Sequence, residues 1–139
     1  MDYSKPLVLV VLVATVFVIR RFFGSIFGTM AASPETVQKV QAMIKDNKIF
    51  VASKSYCPYC QATVKLLFED KKLSKEQVLL LQLDTMKEGS AIQDALQEIT
   101  GQRTVPNIFI AGKHIGGNSD IQALESSGKL DALLQKALA

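Results

Sequence analysis

Of 139 residues, two are cysteine, one is histidine and none is tryptophan. Two cysteines are too few for a disulfide-stapled scaffold. A zinc site takes four ligands, and one cysteine pair with the distant His114 does not supply them, so no metal is expected. Excess charge is also scarce: 16 Lys and Arg stand against 13 Asp and Glu, a net +3. Residues 1–29 carry two of those three charges, Lys5, Arg20 and Arg21 less Asp2. The rest of the chain is nearly neutral and lacks the one-faced Lys/Arg clustering of a nucleic-acid binder. Its densest basic group, Lys71, Lys72 and Lys75, sits among Glu69, Asp70 and Glu76 and reads as a solvated helix end. Internal repeats, low-complexity tracts and a nucleotide-binding motif are all missing.

What is present divides at about residue 32. Residues 1–32 form an extension whose run LVLVVLVATVFVI, Leu7 to Ile19, holds no charge. As a helix the run would be about 20 Å long against a hydrocarbon core of about 30 Å. A secretory signal would place its positive charge ahead of the run, whereas here the Arg20-Arg21 pair follows it. The stretch RRFFGSIFGTMAAS has no acidic residue and resembles an organellar presequence joined to a hydrophobic anchor. Three fates are open: cleavage, retention as an anchor through residues 7–19, or bypass by initiation at Met30. They imply a mitochondrial and cytoplasmic distribution with a short form from Met30, or a membrane-anchored protein with its domain on the cytosolic side.

Residues 33–139 alternate in type. In SPETVQKVQAMIKDN, Ser33 caps, Pro34 suits the first turn and Val37, Val40 and Ile44 share a face. KIFVAS, Lys48 to Ser53, is a short buried strand. PYCQATVKLLFEDKK is a helix from Pro58, with Val64, Leu67 and Phe68 on one side. VLLLQLD, Val78 to Asp84, is a continuous apolar strand of the kind covered on both faces. EGSAIQDALQEITG is a helix capped around Ser90 and stopped by Gly101. PNIFIAGKHIGG is a hairpin turning at Ala111-Gly112, and two short helices broken at Gly128 follow. The order α-β-α-β-α-β-β-α(α) implies parallel strands from the βαβ part and an antiparallel one from the hairpin.

Both cysteines lie in KSYCPYC. A structural disulfide between Cys57 and Cys60 would close too small a loop to constrain much of the unfolded chain. Their setting, a strand, a turn, the pair and then a helix, points to redox chemistry. The turn puts Cys57 at a helix N-terminus, where free N–H groups and the macrodipole favour an anion. Its thiol pKa is expected to be depressed, with Lys54 adding positive charge. Cys60, one turn further in, is the less exposed sulfur and can resolve a mixed disulfide on Cys57. Tyr56 is expected to pack and His114 to be a hairpin residue; Thr85 has no role.

Three segments, Cys57-Pro58-Tyr59-Cys60, Thr104-Val105-Pro106 and Gly116-Gly117-Asn118-Ser119-Asp120, together resemble the dithiol glutaredoxins, most closely fungal members, some of which carry N-terminal extensions. The resemblance spans about residues 33–138. Thioredoxins share the fold, but their Trp-Cys-Gly-Pro-Cys needs a tryptophan this chain lacks.

The resemblance implies an α/β thioredoxin-like fold with a central four-stranded mixed sheet flanked by helices. It implies a glutathione-dependent thiol–disulfide oxidoreductase with glutathione as co-substrate. Glutathionylated proteins and disulfides are the implied substrates, with glutathione reductase and NADPH supplying electrons indirectly to a monomeric domain. Pro106 is implied to be cis and to sit against the cysteine pair, with the Val105 backbone pairing with the cysteinyl part of glutathione as an added strand would. Lys54 and Gln93 take the positions that contact the glycyl carboxylate. The turn at Gly117 and a helix starting near Ser119 hold the γ-glutamyl carboxylate, and Asp120 its ammonium. Tyr59 and Thr104 line the groove. Two competing readings are an iron–sulfur cluster carrier, against which Pro58 and the dithiol pair argue, and a membrane-tethered redox adaptor. Absorbance after anaerobic purification and fractionation of the full-length form separate them.

Overall fold

A Ser-Pro pair opens the first helix, and a computed structural model describes the chain from just before it, over residues 31–139. The apolar run Leu7–Ile19, the Arg20-Arg21 pair and Met30 lie outside the described residues. Among those described, no helix is long and apolar enough to cross a membrane. Helix α1 (Pro34–Asp46) is capped by the Ser33 hydroxyl, which accepts the Thr36 N–H at 3.2 Å. Ala32 already packs on the core, and Ala32–Ala139 forms one compact unit.

Strand β1 (Ile49–Ser53) leads into α2 (Pro58–Lys65), β2 (Val78–Gln82), α3 (Gly89–Thr100), β3 (Asn107–Ile110), β4 (Lys113–Gly116), α4 (Asn118–Ser126) and α5 (Leu130–Leu138). The sheet order is β2-β1-β3-β4. β1 runs parallel to β2, as a βαβ crossover requires, and antiparallel to β3. The β3–β4 hairpin turns at Ala111 and Gly112, both with positive φ, the geometry that matches strand twist. This is the thioredoxin-like α/β arrangement, a four-stranded mixed sheet between two helical layers.

Alternating residues of β1 feed two apolar clusters. Ile49 and Val51 meet Leu66, Leu67, Ile108, Ile121 and Leu130 beneath α2, α4 and α5. Phe50 and Ala52 meet Val40, Ile92, Leu96 and Phe109 beneath α1 and α3. Phe50 and Phe109 are cross-strand neighbours and pack edge to face with centroids 5.7 Å apart. Covered on both faces and both edges, β1 is the rigid centre, and its C-terminal end carries the cysteine loop.

Four expectations change. β2 ends at Gln82, not Asp84; it is an edge strand, half-buried after Val78, with Leu80 packed on one apolar cluster and Leu79 and Leu81 on the other, so its apolar run is covered on both faces as expected. After Lys65, α2 opens into a π-helical turn, Leu66–Asp70, in which the Lys71 N–H reaches back to the Leu66 carbonyl at 2.9 Å. Along α2 and this turn Cys60, Thr63, Leu66 and Leu67 are buried, while Val64 and Phe68 are half-covered. α3 is not capped by Ser90: its N-cap is Glu88, without a side-chain bond, and Gly89 begins the helix because a Cβ there would overlap the Leu83 carbonyl. Lys71 is no solvated residue. Its side chain is 13% exposed and bridges Glu125 at 2.6 Å and Asp131 at 2.8 Å, tying the end of α2 to α4 and α5.

Candidate active site

Pro58 at the first helical position supplies a fixed φ where no N–H is needed, so α2 starts immediately after Cys57. Cys57 is the N-cap, and its Sγ accepts the Cys60 N–H at 3.4 Å. A sulfur stands where a Ser or Asp oxygen commonly caps. Partial burial pushes the Cys57 thiol up. The Cys60 N–H and thiol, the Tyr59 N–H and the Lys54 charge together outweigh that and bring its pKa below the ordinary thiol value. Cys60 is 1% exposed, and its Sγ accepts the Lys54 N–H at 3.4 Å. Burial, the larger cause, and the neighbouring Cys57 hold its pKa above the ordinary value. Both cysteines are free thiols. Opposite shifts on sulfurs one turn apart give an outer nucleophile and an inner, protonated partner.

The loop before the pair is fastened to the end of β2. Asp84 accepts the Ser55 N–H at 2.9 Å and also the Ser55 hydroxyl, which holds its carboxyl below the usual range. The Gln61 amide donates to the Ser55 carbonyl at 3.0 Å. Tyr56 does not pack: it is 69% exposed, and Tyr59 is 67% exposed. Both rings lie outside the core, Tyr56 in the turn before Cys57 and Tyr59 in the first turn of α2.

The Val105–Pro106 peptide is cis, and the Val105 carbonyl lies 3.9 Å from Cys57 Sγ. Next to it is a groove of about 460 Å³ lined by Tyr59, Thr104, Val105, Pro106, Gly117, Asn118 and Ser119. Six of these were expected from sequence, and three separate segments of the chain converge here. Asn118 was expected only as part of a motif. It heads α4, and its Oδ1 accepts the hydroxyl of buried Thr63 at 3.0 Å. A buried Thr among apolar positions in α2 was its available signal.

The other expected residues lie outside that lining. Lys54 is half-buried in the loop after β1, close enough for its charge to lower both Cys57 and Asp84. Gln93 is on α3, and its amide donates to the Arg103 carbonyl at 2.8 Å. Asp120 accepts the Gly117 N–H at 2.8 Å, closing the N-terminus of α4, which starts at Asn118. His114 lies in β4 with Nε2 2.8 Å from Asn107 Oδ1. Among the described residues no three His, Cys, Asp or Glu side chains are grouped to hold a metal. A groove beside a low-pKa thiol suits capture of a peptide-like thiol or disulfide, with sulfur-to-sulfur exchange at Cys57.

Comparison with known proteins agrees with this geometry. A glutaredoxin family model matches residues 49–115. The chain is 58% identical over 107 residues to "Glutaredoxin-1" of Saccharomyces cerevisiae, covering 77% of this chain and 97% of that one. It is 50% identical over 99 residues to a glutaredoxin of Ricinus communis, covering 71% of this chain and 93% of that one. The crystal structure of a buckwheat glutaredoxin–glutathione complex superposes with a TM-score of 0.68 at 42% identity, covering 76% of this chain and 92% of that one.

Proposed function

Since this chain belongs to the glutaredoxin family, we propose that it is a glutathione-dependent thiol–disulfide oxidoreductase working through Cys57. The observation that carries this is the Cys57 sulfur, which caps α2 and lies 3.9 Å from the carbonyl of Val105 in the wall of the Tyr59–Val105–Ser119 groove. The Cys57 thiolate attacks the glutathione sulfur of a mixed disulfide. The S–S bond breaks, the substrate leaves as a thiolate that takes up a proton, and glutathione stays on Cys57. A second glutathione thiolate attacks that glutathionyl sulfur, releasing glutathione disulfide and restoring the Cys57 thiolate. With a protein disulfide, Cys57 forms a mixed disulfide to the protein, and Cys60, losing its proton, attacks Cys57 Sγ. The protein thiol departs, and glutathione reduces the resulting Cys57–Cys60 disulfide.

In this reading the Val105 backbone pairs with the cysteinyl part of glutathione, flanked by Thr104, Pro106 and Tyr59. The N–H groups heading α4, near Gly117 and Ser119, receive the γ-glutamyl carboxylate. Asp120, with one oxygen held by Gly117, offers the other to the ammonium. Lys54 and Gln93 face the glycyl carboxylate. Glutathione reductase and NADPH regenerate glutathione. Residues 1–32 deliver the domain to mitochondria, and a form starting at Met30 serves the cytoplasm. N-terminal mass analysis of separated fractions checks this, and a single full-length species in both would overturn it. For the chemistry, Cys57→Ser is expected to abolish deglutathionylation, whereas Cys60→Ser spares it and impairs reduction of protein disulfides. Full activity in Cys57→Ser would sink the assignment.

A further inference from the structure

Gln102 stands in the loop between α3 and β3. Its Nε2 donates to the Thr104 carbonyl at 3.1 Å and to the Pro106 carbonyl at 3.1 Å. Those carbonyls flank Val105, whose own carbonyl faces Cys57 Sγ. A side-chain amide nitrogen has two N–H donors, and both hold this one loop. Gln102 is itself fixed. Its N–H donates to Thr100 Oγ1 at 3.0 Å, and its carbonyl accepts the buried Asn107 Nδ2 at 3.3 Å. A Cβ built on Gly117 would come within 3.9 Å of Gln102 Nε2 and 3.6 Å of the Pro106 carbonyl. The amide therefore lies behind the groove, where the Thr104–Pro106 wall meets the start of α4. Thr104 is exposed, and β3 begins only at Asn107, so this wall has no strand partner of its own.

We propose that Gln102 is a positioning residue that holds the Val105 peptide in the orientation that receives glutathione. The inference rests on the reading that the Val105 backbone is the glutathione contact. A peptide edge set in advance binds without the cost of ordering it. Cys57 has different donors, the N–H groups of α2, so its thiolate does not depend on Gln102. Loss of the clamp weakens glutathione recognition and leaves the nucleophile intact.

The test uses the full chain and S-methylglutathione, a thioether that binds without reacting. Gln102→Met keeps the length and removes both donors. It is expected to weaken S-methylglutathione binding about tenfold, equivalent to about 1.4 kcal/mol. The KM for a glutathionylated peptide should rise to match, while kcat and the pH profile of Cys57 alkylation stay at parental values. Gln102→Glu faces two carbonyls with a carboxylate at pH 8. Near pH 5 the carboxyl begins to gain a proton it can donate, so binding recovers toward the parent measured at the same pH. Parental affinity in folded Gln102→Met, or an equal deficit of Gln102→Glu at both pH values, overturns the inference; if Gln102→Met does not fold, Gln102→Glu decides alone. Amide shifts of the parent separate the two levels. A Val105 N–H that ignores S-methylglutathione sinks the groove reading itself, whereas a responsive Val105 with normal Gln102→Met binding sinks only the clamp.

Discussion

Thr63 is fully buried in α2, and its hydroxyl bonds across 3.0 Å to Asn118, which heads α4 and lines the groove. Thr63→Val keeps the side-chain shape and removes the donor. Asn118 Oδ1 retains the Gln122 amide at 3.3 Å, so it is not orphaned and the loss is that of one net hydrogen bond, about 1 kcal/mol. With a urea m-value of about 2 kcal/mol/M, the unfolding midpoint of the reduced protein falls by about 0.5 M at unchanged slope. Thr63→Ala also removes a buried methyl and should cost about 0.8 kcal/mol more. Any part of the loss reaching the α4 wall raises the KM for a glutathionylated peptide by at most about fivefold, with kcat unchanged. Circular dichroism in urea and steady-state kinetics read both effects. A parental midpoint in Thr63→Val would refute the reasoning that this bond joins the helices.

Iodoacetamide labelling with mass mapping should place the half-reaction pH of Cys57 below, and that of Cys60 above, the value for the same thiols in the urea-unfolded chain; the reverse order would contradict the site. By linkage, the depressed Cys57 stabilises the reduced fold above its unfolded pKa of about 8.5, an increment lost as pH falls through the folded value. Cys60 contributes in the opposite sense, below its unfolded pKa, and loses that contribution as pH rises through its folded one. The stability gap between parent and Cys57→Ser should therefore widen from pH 6 to pH 9 in urea titrations, and a gap that narrows would be contrary. Gly116→Ala, at φ +118°, would set a Cβ 2.3 Å from Asp120 Oδ2. It should drive the carboxylate off the Gly117 N–H, cost roughly 2–3 kcal/mol and raise KM; parental stability in urea would show that Asp120 does not hold this turn.

The sequence carried most of the fold where local chemistry decides it. Ser33-Pro34, Gly101 and Ala111-Gly112 each mark a boundary where it occurs, because caps and turns depend on a few adjacent residues. Cys57 at a helix start was legible for the same reason. Long-range geometry was not. Whether VLLLQ is central or at an edge depends on the other strands, and no local signal marks the π-turn after Lys65. Gln102 gives no signal at all, since its two acceptors are backbone carbonyls that any residues would supply. Tyr56 misled because aromatic character suggests burial, whereas the turn before α2 directs it outward.

The unequal depth of the two sulfurs also sets an order in time. With Cys60 1% exposed, a bulky disulfide meets Cys57 first. Cys60 can react only with a partner Cys57 has already captured. Access alone thus sequences the two steps, and no moving gate is needed to stop the resolving thiol from meeting the substrate out of turn.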